Sequence, residues 1–331
     1  MTAWRKILLP LAKLGIGAAL IAILFRRQDI RWSDLSEALP NLGAHPLWLV
    51  VTLLLVLTCL LCGAGRWWTA LAGLGVPLTR SRAAWLFLVG HFFNGFLPGS
   101  TGGDVARAFY VARETPGQRT HAVMSIVVER LAGIAVLLIL TVVGLLVAAH
   151  SRHFTLLLVA TTGLAATILA VLIRLPDFSR VARWPLARQL LRHPRIAHLA
   201  HRLYSALQLC HAQPRLIARL LGWSLLQHVF AILSWLTLAW GLGMEVQTTT
   251  FLLLVPAVLT AQMIPLTPGG LGVRESAAVV LLPAAGLARH EAMLLSLASF
   301  AASLVWSAVG GLAFLLLPHR EKPCISERET G

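Results

Sequence analysis

Charged residues are scarce in this 331-residue chain. They make up 12% of it, about half of the roughly 25% that is usual for soluble proteins. Hydrophobic residues make up 57%, and the mean hydropathy is +0.77. A soluble core could not cover so much apolar surface, so the composition predicts an integral membrane protein. The same composition, with only four cysteines, excludes a disordered chain, a collagen and a disulfide-stapled secreted module.

Motifs of soluble catalysis are also absent from the sequence. It has no Walker loop, no H-E-x-x-H, no G-x-S-x-G and no dinucleotide fingerprint. No hydrophilic segment is long enough to predict an ATPase or an aminoacyl-transferase domain. We therefore expect no catalytic residue, no cofactor and no metal site, and the protein is not predicted to be an enzyme.

Six apolar runs are long enough to cross a bilayer as helices, because a hydrocarbon core of about 30 Å needs about 20 helical residues. The predicted spans are Ile7–Phe25, Leu47–Gly65, Ala122–Ala149, Thr155–Ile173, Leu216–Leu242 and Ala292–Leu317. Two shorter runs, Ala83–Leu97 and Phe251–Leu266, end in Pro and Gly, which favours re-entrant half-helices. The expected fold class is all-α integral membrane, with six full transmembrane helices and two re-entrant Pro/Gly-broken hairpins.

The net charge of +15 is explained by where the basic residues lie. With a cytoplasmic N-terminus, twenty of the 28 Lys and Arg fall in cytoplasmic segments, Arg66 and Arg107 among them, and five fall outside. This positive-inside bias favours an effect of orientation over nucleic-acid binding, and it places both termini in the cytoplasm. The bias is obtained only if both hairpins enter and leave the membrane on one side.

A single transmembrane domain is expected from this topology. Between its two halves, an Arg-rich segment has apolar residues at helical spacing from Pro194 onwards, which predicts a cytoplasmic amphipathic helix on the anionic inner leaflet. The expected boundaries are 1–320 for the domain, 47–173 for the first half with hairpin 83–115, 174–215 for the amphipathic segment, 216–317 for the second half with hairpin 250–288, and 318–331 for a short tail.

The two Pro/Gly stretches share a pattern when they are aligned without gaps. The residues from Pro98 to Arg107 and from Pro265 to Arg274 both read P-x-[ST]-x-G-G-x-x-x-R. Their opposite orientation in the predicted topology is typical of inverted repeats around a substrate site at the bilayer midplane. A helix that starts after Gly-Gly would present N–H groups and a positive dipole end, which with the arginine suit an anion such as phosphate. A simple hairpin turn is the alternative, and both explanations stay open.

Ionisable residues at membrane depth are costly and are therefore functional candidates. The acids could balance the arginines or carry protons, but ion pairs that pin the hairpins to the bundle would give the same pattern. Asn94 and Gln262, near the ends of the first limbs, are expected to line one cavity. The candidate substrate-binding residues are Asn94, Ser100, Gly102, Gly103, Asp104, Arg107, Glu129, Arg130, Thr267, Gly269, Gly270, Arg274 and Glu275.

Other polar residues in the apolar stretches are expected to have packing roles. His91 and His228 are interpreted as core histidines with satisfied hydrogen bonds. Small residues recur on the last span and predict a face for close helix packing. They are Ser299, Ser303 and Ser307, followed by Gly310 and Gly311.

The stretch from Phe93 to Asp104, with Arg107 after it, resembles a signature of the lysylphosphatidylglycerol synthase transmembrane-region family, also called flippase-like domain proteins. Glu129-Arg130 resembles the acidic-Arg pair of that family, and the stretch from Ile264 to Glu275 resembles its second signature. The resemblance covers roughly residues 10–317. It implies a multi-pass protein of a bacterial inner membrane that moves or handles a lipid.

The resemblance and the paired breaks together lead to a lipid or lipid-linked head-group transporter without its own ATPase. The expected partners are membrane lipids with an anionic or phosphate-bearing head group, held by Arg107, Arg130 and Arg274, and not nucleic acid. One alternative is a non-transporting subunit that docks a cytoplasmic lipid-modifying enzyme on residues 174–219. Another is a membrane-embedded lipid transferase with Asp104 or Glu129 as base. The lipid, the direction of movement and the oligomeric state stay open.

Overall fold

The structure, a computed structural model, describes residues 46–96, 102–148, 212–263, 267 and 270–315, with six further residues between 162 and 208. This part of the chain is helical and contains no strand. Its eight long or medium α-helices are α1 (Pro46–Gly73), α2 (Arg80–Phe96), α3 (Gly102–Glu114), α4 (Arg119–Ala148), α5 (Pro214–Gly241), α6 (Thr248–Gln262), α7 (Val273–Leu281) and α8 (Arg289–Leu315). Short 3₁₀ turns at Pro116–Gln118 and Leu282–Ala285 precede α4 and follow α7.

Four of these helices, α1, α4, α5 and α8, are long and apolar enough to cross a membrane. They confirm the predicted spans that start at Leu47, Ala122, Leu216 and Ala292 as continuous helices. The predicted span Ile7–Phe25 lies outside the described residues, as do most of the span Thr155–Ile173, most of the amphipathic segment and the tail. The re-entrant nature of the two hairpins stays a prediction.

Helix α1 continues eight residues beyond the predicted end at Gly65, and this changes the position of Arg66. The charge count placed Arg66 and Arg107 in cytoplasmic segments, and the side of the membrane on which they lie stays a prediction. Their side chains are only 5% and 3% exposed and lie between helices. Glu129 of α4 pairs with both guanidinium groups inside the bundle, which removes the need for water around them.

The two hairpin motifs share the same residue spacing, but the helices that follow them start at different positions of the motif. The predicted start after Gly-Gly is wrong for the first hairpin, where α3 begins at Gly102 and contains both glycines. In the second hairpin, α7 begins at Val273, after Gly270 and Gly272 have adopted φ values of +74° and +84°. These positive φ values favour glycine and let the chain turn before the helix starts.

Helices α1 and α5 end in the same way. Gly75 and Gly243 have φ values of +75° and +73° and follow the last helical turn. Each is followed by an N–H that reaches back across the turn, which is the Schellman arrangement. The two bonds are Val76 N–H to Leu71 O at 2.9 Å and Met244 N–H to Ala239 O at 3.0 Å. In both halves the chain then enters a short helix, α2 or α6.

Helices of the first half pack against helices of the second half. Helix α1 packs on α5, while α2 packs on α8 and α4 packs on α6. The contacts of α4 with α6 and of α8 with α2 both require a glycine. A Cβ on Gly144 would lie 1.9 Å from Leu253 O, and a Cβ on Gly310 would lie 2.2 Å from Leu88 O. The predicted small-residue face of α8 is therefore a packing face. The described residues also form two apolar clusters, one around Trp67 and the other around Phe251, and each contains residues of both halves.

Candidate functional site

A cavity of about 330 Å³ lies between the two hairpins, and all eight helices contribute to its wall. This volume is at the lower end of the roughly 300–1,000 Å³ that is usual for small-molecule sites. Asn94 and Gln262 both line it, as the sequence predicted. Four arginines also line it, whereas Glu129 is the one acidic residue among the described lining residues. The arginines are Arg66, Arg107, Arg130 and Arg274.

Glu129 is the centre of a buried ion-pair network. Its side chain is 1% exposed. Arg66 donates to Glu129 Oε1 through Nε at 3.1 Å and also through Nη2, and Arg107 Nη2 donates to Glu129 Oε2 at 3.2 Å. Arg66 Nη1 donates further to Ser224 Oγ at 3.2 Å. Both oxygens of this carboxylate are therefore occupied by guanidinium groups from α1 and α3.

Asp104 extends the network to α4. Arg130 donates to Asp104 Oδ2 through Nε at 2.7 Å and to Oδ1 through Nη2 at 2.8 Å, which is a bidentate pair of the strong, charge-assisted kind. Arg107 also donates to Asp104 Oδ1. Asp104 is 16% exposed and Arg130 is 33% exposed, so this end of the network is the more accessible one.

Arg107 is the most constrained cation of the network. Its guanidinium lies 4.9 Å from the ring centroid of Trp67 and 4.8 Å from that of Phe87, within the range of cation–π attraction. While Nη2 bonds to the two carboxylates, Nη1 is buried without a hydrogen-bond partner in the described part of the chain. A buried charged donor left unsatisfied costs free energy, so this N–H is available for an acceptor.

Among the described residues, the charges of the network do not balance. Three guanidinium groups, those of Arg66, Arg107 and Arg130, face the two carboxylates of Asp104 and Glu129. A surplus of one positive charge remains at the wall of the cavity. In a low-dielectric environment an unbalanced cation attracts an anion strongly, so the network has the electrostatic character of an anion site.

The second hairpin contributes a closed pair. Arg274 donates to Glu275 Oε1 through Nε at 3.2 Å and Nη2 at 2.5 Å, and Nε also reaches Ser296 Oγ at 2.8 Å. Ser296 Oγ donates in turn to Glu275 Oε1 at 3.1 Å. The two charged side chains are 2% and 0% exposed. One cation here meets one anion, and no charge is left over.

One N–H group at the start of α3 and one just before α7 already have acceptors. Asn94 Oδ1 accepts the Gly103 N–H at 2.8 Å, which joins the end of α2 to the start of α3. Glu275 Oε2 accepts the Gly272 N–H at 2.5 Å and so caps its own helix. The sequence had suggested that such N–H groups would hold an anion, but at these two positions they hold the hairpins together.

The other predicted hairpin residues shape the turns. A Cβ on Gly103 would lie 1.9 Å from Gly90 O, so this glycine permits close contact of α2 and α3, next to Gly102. Thr267 is 1% exposed and donates to Leu271 O at 2.6 Å, while Gly270 turns the chain with its positive φ. Ser100 and Gly269 lie outside the described residues.

Arg66 and Gln227 are among the cavity-wall residues that sequence reasoning missed. Arg66 was counted as cytoplasmic because it follows a complete apolar run, although the apolar residues continue after it through Trp67 and Trp68, and that continuation was the available signal. Gln227 was not singled out. Its Oε1 is buried without a hydrogen-bond partner among the described residues, and a lone Gln in an apolar helix was the available signal for it.

Both histidines have the expected packing roles. His91 Nε2 lies 3.3 Å from Ser303 O, and His228 Nε2 lies 3.0 Å from Gly133 O. The latter contact places α5 against α4 beside Arg66, whose Nη1 would lie 2.6 Å from a Cβ on Gly133. The cavity is thus built from charged, amide and hydroxyl groups that packed helices hold in place.

Comparison with known proteins agrees with this arrangement. The family model of the lysylphosphatidylglycerol synthase TM region matches residues 11–311, which covers the whole described part up to the last turn of α8. A search of curated proteins finds no match. The family match, the four membrane-length helices and the two motif hairpins lead to one conclusion: the chain is a multi-pass membrane protein that belongs to the lysylphosphatidylglycerol synthase transmembrane-region family.

Proposed function

We propose that this protein moves a lipid with an anionic head group across the membrane. The head group would enter the cavity between the hairpins, while the acyl chains stay in the bilayer. The observation that carries the proposal is the surplus of one positive charge in the network of Arg66, Arg107, Arg130, Asp104 and Glu129. Membership of a family connected with lipid modification or transport supports a lipid as the ligand.

The unpartnered Arg107 Nη1 supports a phosphate as the recognised group. Arginine is well suited to phosphate because its donors are fixed in one plane. A phosphate oxygen at this position would satisfy the buried donor and neutralise the surplus charge at the same time. Arg130, one third exposed, is the cation that an incoming head group would meet most easily.

We also propose that the two halves are inverted-topology repeats. Two observations support this relation. Equivalent helices of the two halves end at glycines with positive φ, Gly75 and Gly243. The halves also pack closely on each other at Gly144 and Gly310. In transporters with inverted repeats, the substrate lies between the repeats, and one half rocks against the other. The position of the cavity, between the two hairpins, fits such a mechanism.

The alternative of a membrane-embedded transferase is less well supported. Its general base would be Asp104 or Glu129, and a base must direct a lone pair of an oxygen towards the proton that it removes. Both carboxylates already accept hydrogen bonds from two arginines each. The alternative of a docking subunit stays a prediction, because the segment on which it depends lies mostly outside the described residues.

Reconstitution in vesicles tests the proposed transport. Purified protein is inserted into liposomes that contain phosphatidylglycerol with a fluorescent acyl chain, and dithionite then bleaches the lipid that reaches the outer leaflet. We expect the wild type to accelerate bleaching of the inner pool. Arg107→Gln and Arg130→Gln should each lower the rate at least about tenfold, since each removes a charge-assisted contact worth about 1.5–3 kcal/mol.

Arg82→Gln is the matched control. Arg82 pairs with Glu114 on the surface, with side chains 26% and 25% exposed, and it is not part of the cavity wall. This variant should move lipid at the wild-type rate. No acceleration by the wild type for any anionic phospholipid, or equal rates for Arg107→Gln and Arg82→Gln, would contradict the proposed function.

A further inference from the structure

We propose that a second groove, on the side of the bundle, holds an anionic phospholipid of the surrounding leaflet as a bound lipid that is not transported. The groove lies between the last turns of α1, the first turns of α5 and the start of α2, and its volume is about 1030 Å³. Among the described residues, it shares no wall residue with the cavity between the hairpins. The inference is therefore independent of the proposed function.

The floor of the groove is apolar and aromatic. Trp68 of α1 and Trp223 of α5 are both half-buried in it. Trp68 Nε1 donates to Leu78 O at 3.0 Å, and a Cβ on Gly65 would lie 3.1 Å from the ring of Trp223. Tryptophan rings at a bilayer interface lie at the level of the head groups with an apolar body for the chains. The remaining apolar wall consists mainly of Leu61, Ala64, Ala72, Ala84, Pro214 and Leu216.

The charged part of the groove wall is cationic. Arg80, Arg215 and Arg219 line the groove and are exposed. The described wall contains no acidic residue, and none of the three arginines forms an ion pair within the described part of the chain. Arg80 lies over Trp68, 4.3 Å from the ring centroid, so its charge is next to the apolar floor. This arrangement is complementary to an anion that carries an apolar chain.

The three arginines also lie where helix dipoles disfavour a cation. Arg80 is the first residue of α2, and Arg215 and Arg219 lie in the first two turns of α5. The N-terminus of a helix is its positive end, and like charges four residues apart repel each other. Neither helix has an acidic residue in its first turn, and the N-cap of α5, Gln213, makes no side-chain capping bond. An anion in the groove would offset both unfavourable terms.

A phospholipid fits these features better than a free anion does. A free anion would pair with the arginines but leave the two tryptophans uncovered, whereas a lipid covers them with an acyl chain. A zwitterionic lipid would add a cation beside three guanidinium groups. The positive-inside bias places this end of the bundle in the cytoplasm, and the inner leaflet is the one whose anionic lipids attract basic segments.

The groove also adjoins the ion-pair network. Gly65 and Trp223 line the groove, and the residues that follow them, Arg66 and Ser224, are joined by a hydrogen bond of 3.2 Å between Nη1 and Oγ. A lipid in the groove would thus hold α1 against α5 directly beside the network.

Quenching of tryptophan fluorescence by brominated lipids tests the inference on the full-length protein in an uncharged detergent. Bromine quenches only at short range, so it reports lipid chains that reach the two groove tryptophans. We expect saturable quenching by phosphatidylglycerol with brominated chains. Its half-saturating concentration should be at least about tenfold lower than that of brominated phosphatidylcholine, since each arginine beside an anionic lipid contributes about fivefold in affinity.

Arg215→Gln combined with Arg219→Gln removes two of the three charges. The half-saturating concentration of phosphatidylglycerol should rise at least about tenfold, by the same contribution per arginine. Arg113→Gln combined with Arg119→Gln is the matched control, because it removes the same charge at two exposed positions outside the groove wall. This control should bind phosphatidylglycerol as the wild type does.

Trp223→Phe locates the bound chain. It should reduce the saturable quenching, whereas Trp240→Phe should leave it unchanged. Trp240 lies 17 residues further along α5, which is about 25 Å along the helix axis. Equal quenching in the two variants would overturn the assignment of the lipid to the groove.

The remaining outcomes are equally decisive. Equal half-saturating concentrations for the two wild-type lipids, or equal values for the two double arginine variants, overturn the inference. Competition by chain-free glycerol phosphate at the concentration of the lipid also overturns it, because the groove would then bind only the anion. Arg107→Gln should leave the quenching unchanged while it slows lipid movement in vesicles. Loss of the quenching in Arg107→Gln would assign the lipid to the cavity between the hairpins instead.

Discussion

The two hairpins carry the same sequence motif but differ in their electrostatics. Around the first hairpin, three arginines share two carboxylates and one buried donor has no partner in the described part of the chain. Around the second, Arg274 and Glu275 form a closed pair with Ser296. The first arrangement can accept an anion, whereas the second has its charges satisfied. We therefore propose that the first half binds the ligand and that the second half supports it.

Matched positions show how the difference arises. Arg107 bonds to Glu129, 22 residues later, and Arg274 bonds to Ser296, also 22 residues later. The sequence spacing of the two contacts is the same, but the acceptor is a carboxylate in the first half and a hydroxyl in the second. Arg66 lies nine residues before the positive-φ glycine that ends its helix, and the cavity residue Ser234 lies nine before the other. Most of the charged groups of the cavity wall therefore lie in the first half.

Removal of the shared carboxylate gives the largest expected effect and tests whether the first network is one unit. Glu129→Ala leaves Arg66 and Arg107 buried with one acid fewer between them, and breaking a buried ion pair costs about 3–5 kcal/mol. Equilibrium unfolding in mixed detergent micelles measures the loss. Glu114→Ala, which breaks the surface pair with Arg82, is the control and should cost about 0–1 kcal/mol. Similar losses in the two variants would show that Glu129 is not the centre of a network.

Removing both charges of an ion pair tests whether the two hairpins differ in their charge balance. Arg274→Met combined with Glu275→Gln keeps an acceptor for the Gly272 N–H, and no charge is left behind. The double variant should be more stable than Glu275→Ala by about 1–4 kcal/mol, since apolar replacement of a buried pair is often neutral. Arg107→Met with Glu129→Gln should show no such recovery, because Arg66 loses its counterion. Recovery in both halves would remove the distinction.

Two serines provide a smaller comparison. Ser296 bridges Arg274 and Glu275, whereas Ser224 accepts from Arg66 Nη1 alone. Each replacement by Ala should cost about 1.5–3 kcal/mol, the range for hydrogen bonds to charged groups, with the greater loss at Ser296. Unfolding and lipid movement are measured on the same preparations. Ser296→Ala should leave the transport rate unchanged, and a slower rate would show that the second half also contacts the lipid.

The smallest expected effect concerns the backbone of the first hairpin. Gly103→Ala places a methyl group 1.9 Å from Gly90 O, and such overpacking costs about 1–3 kcal/mol. Gly117→Ala is the matched control, because nothing lies within 4 Å of the position of its Cβ. Thermal denaturation should show a lower midpoint for Gly103→Ala only. An unchanged midpoint would mean that α2 and α3 can separate without cost.

Hydrophobic run length was sufficient to predict the four long helices, because a membrane span is mainly a matter of apolar length. The hairpin limbs and the pairing of Pro/Gly motifs could also be recognised, since turn residues act locally. The inclusion of Gly102 in α3 was not predicted. It depends on Asn94, which lies nine residues before Gly103 and accepts the Gly103 N–H, and on the close contact of Gly103 with Gly90.

The network itself depended on contacts between distant residues. Asp104, Arg107, Glu129 and Arg130 could be chosen because ionisable residues in apolar stretches are costly. Arg66 was not chosen by that rule, because the predicted span ended at Gly65. Its pairing with a carboxylate 63 residues away is a tertiary contact that no local pattern shows. The same limit applies to the difference between the hairpins. The motif has an arginine in both halves, and only tertiary structure shows which arginine keeps an unsatisfied donor.

A crystal structure grown from a lipid mesophase doped with phosphatidylglycerol tests the central claim most directly. The claim is that the surplus charge of the first half binds the head group of an anionic lipid. The account predicts density for a phosphate within hydrogen-bonding distance of Arg107 Nη1, about 2.7–2.9 Å for such charge-assisted contacts. Phosphate density on Arg274 or on the outer surface of the bundle, with none beside Arg107, would contradict it.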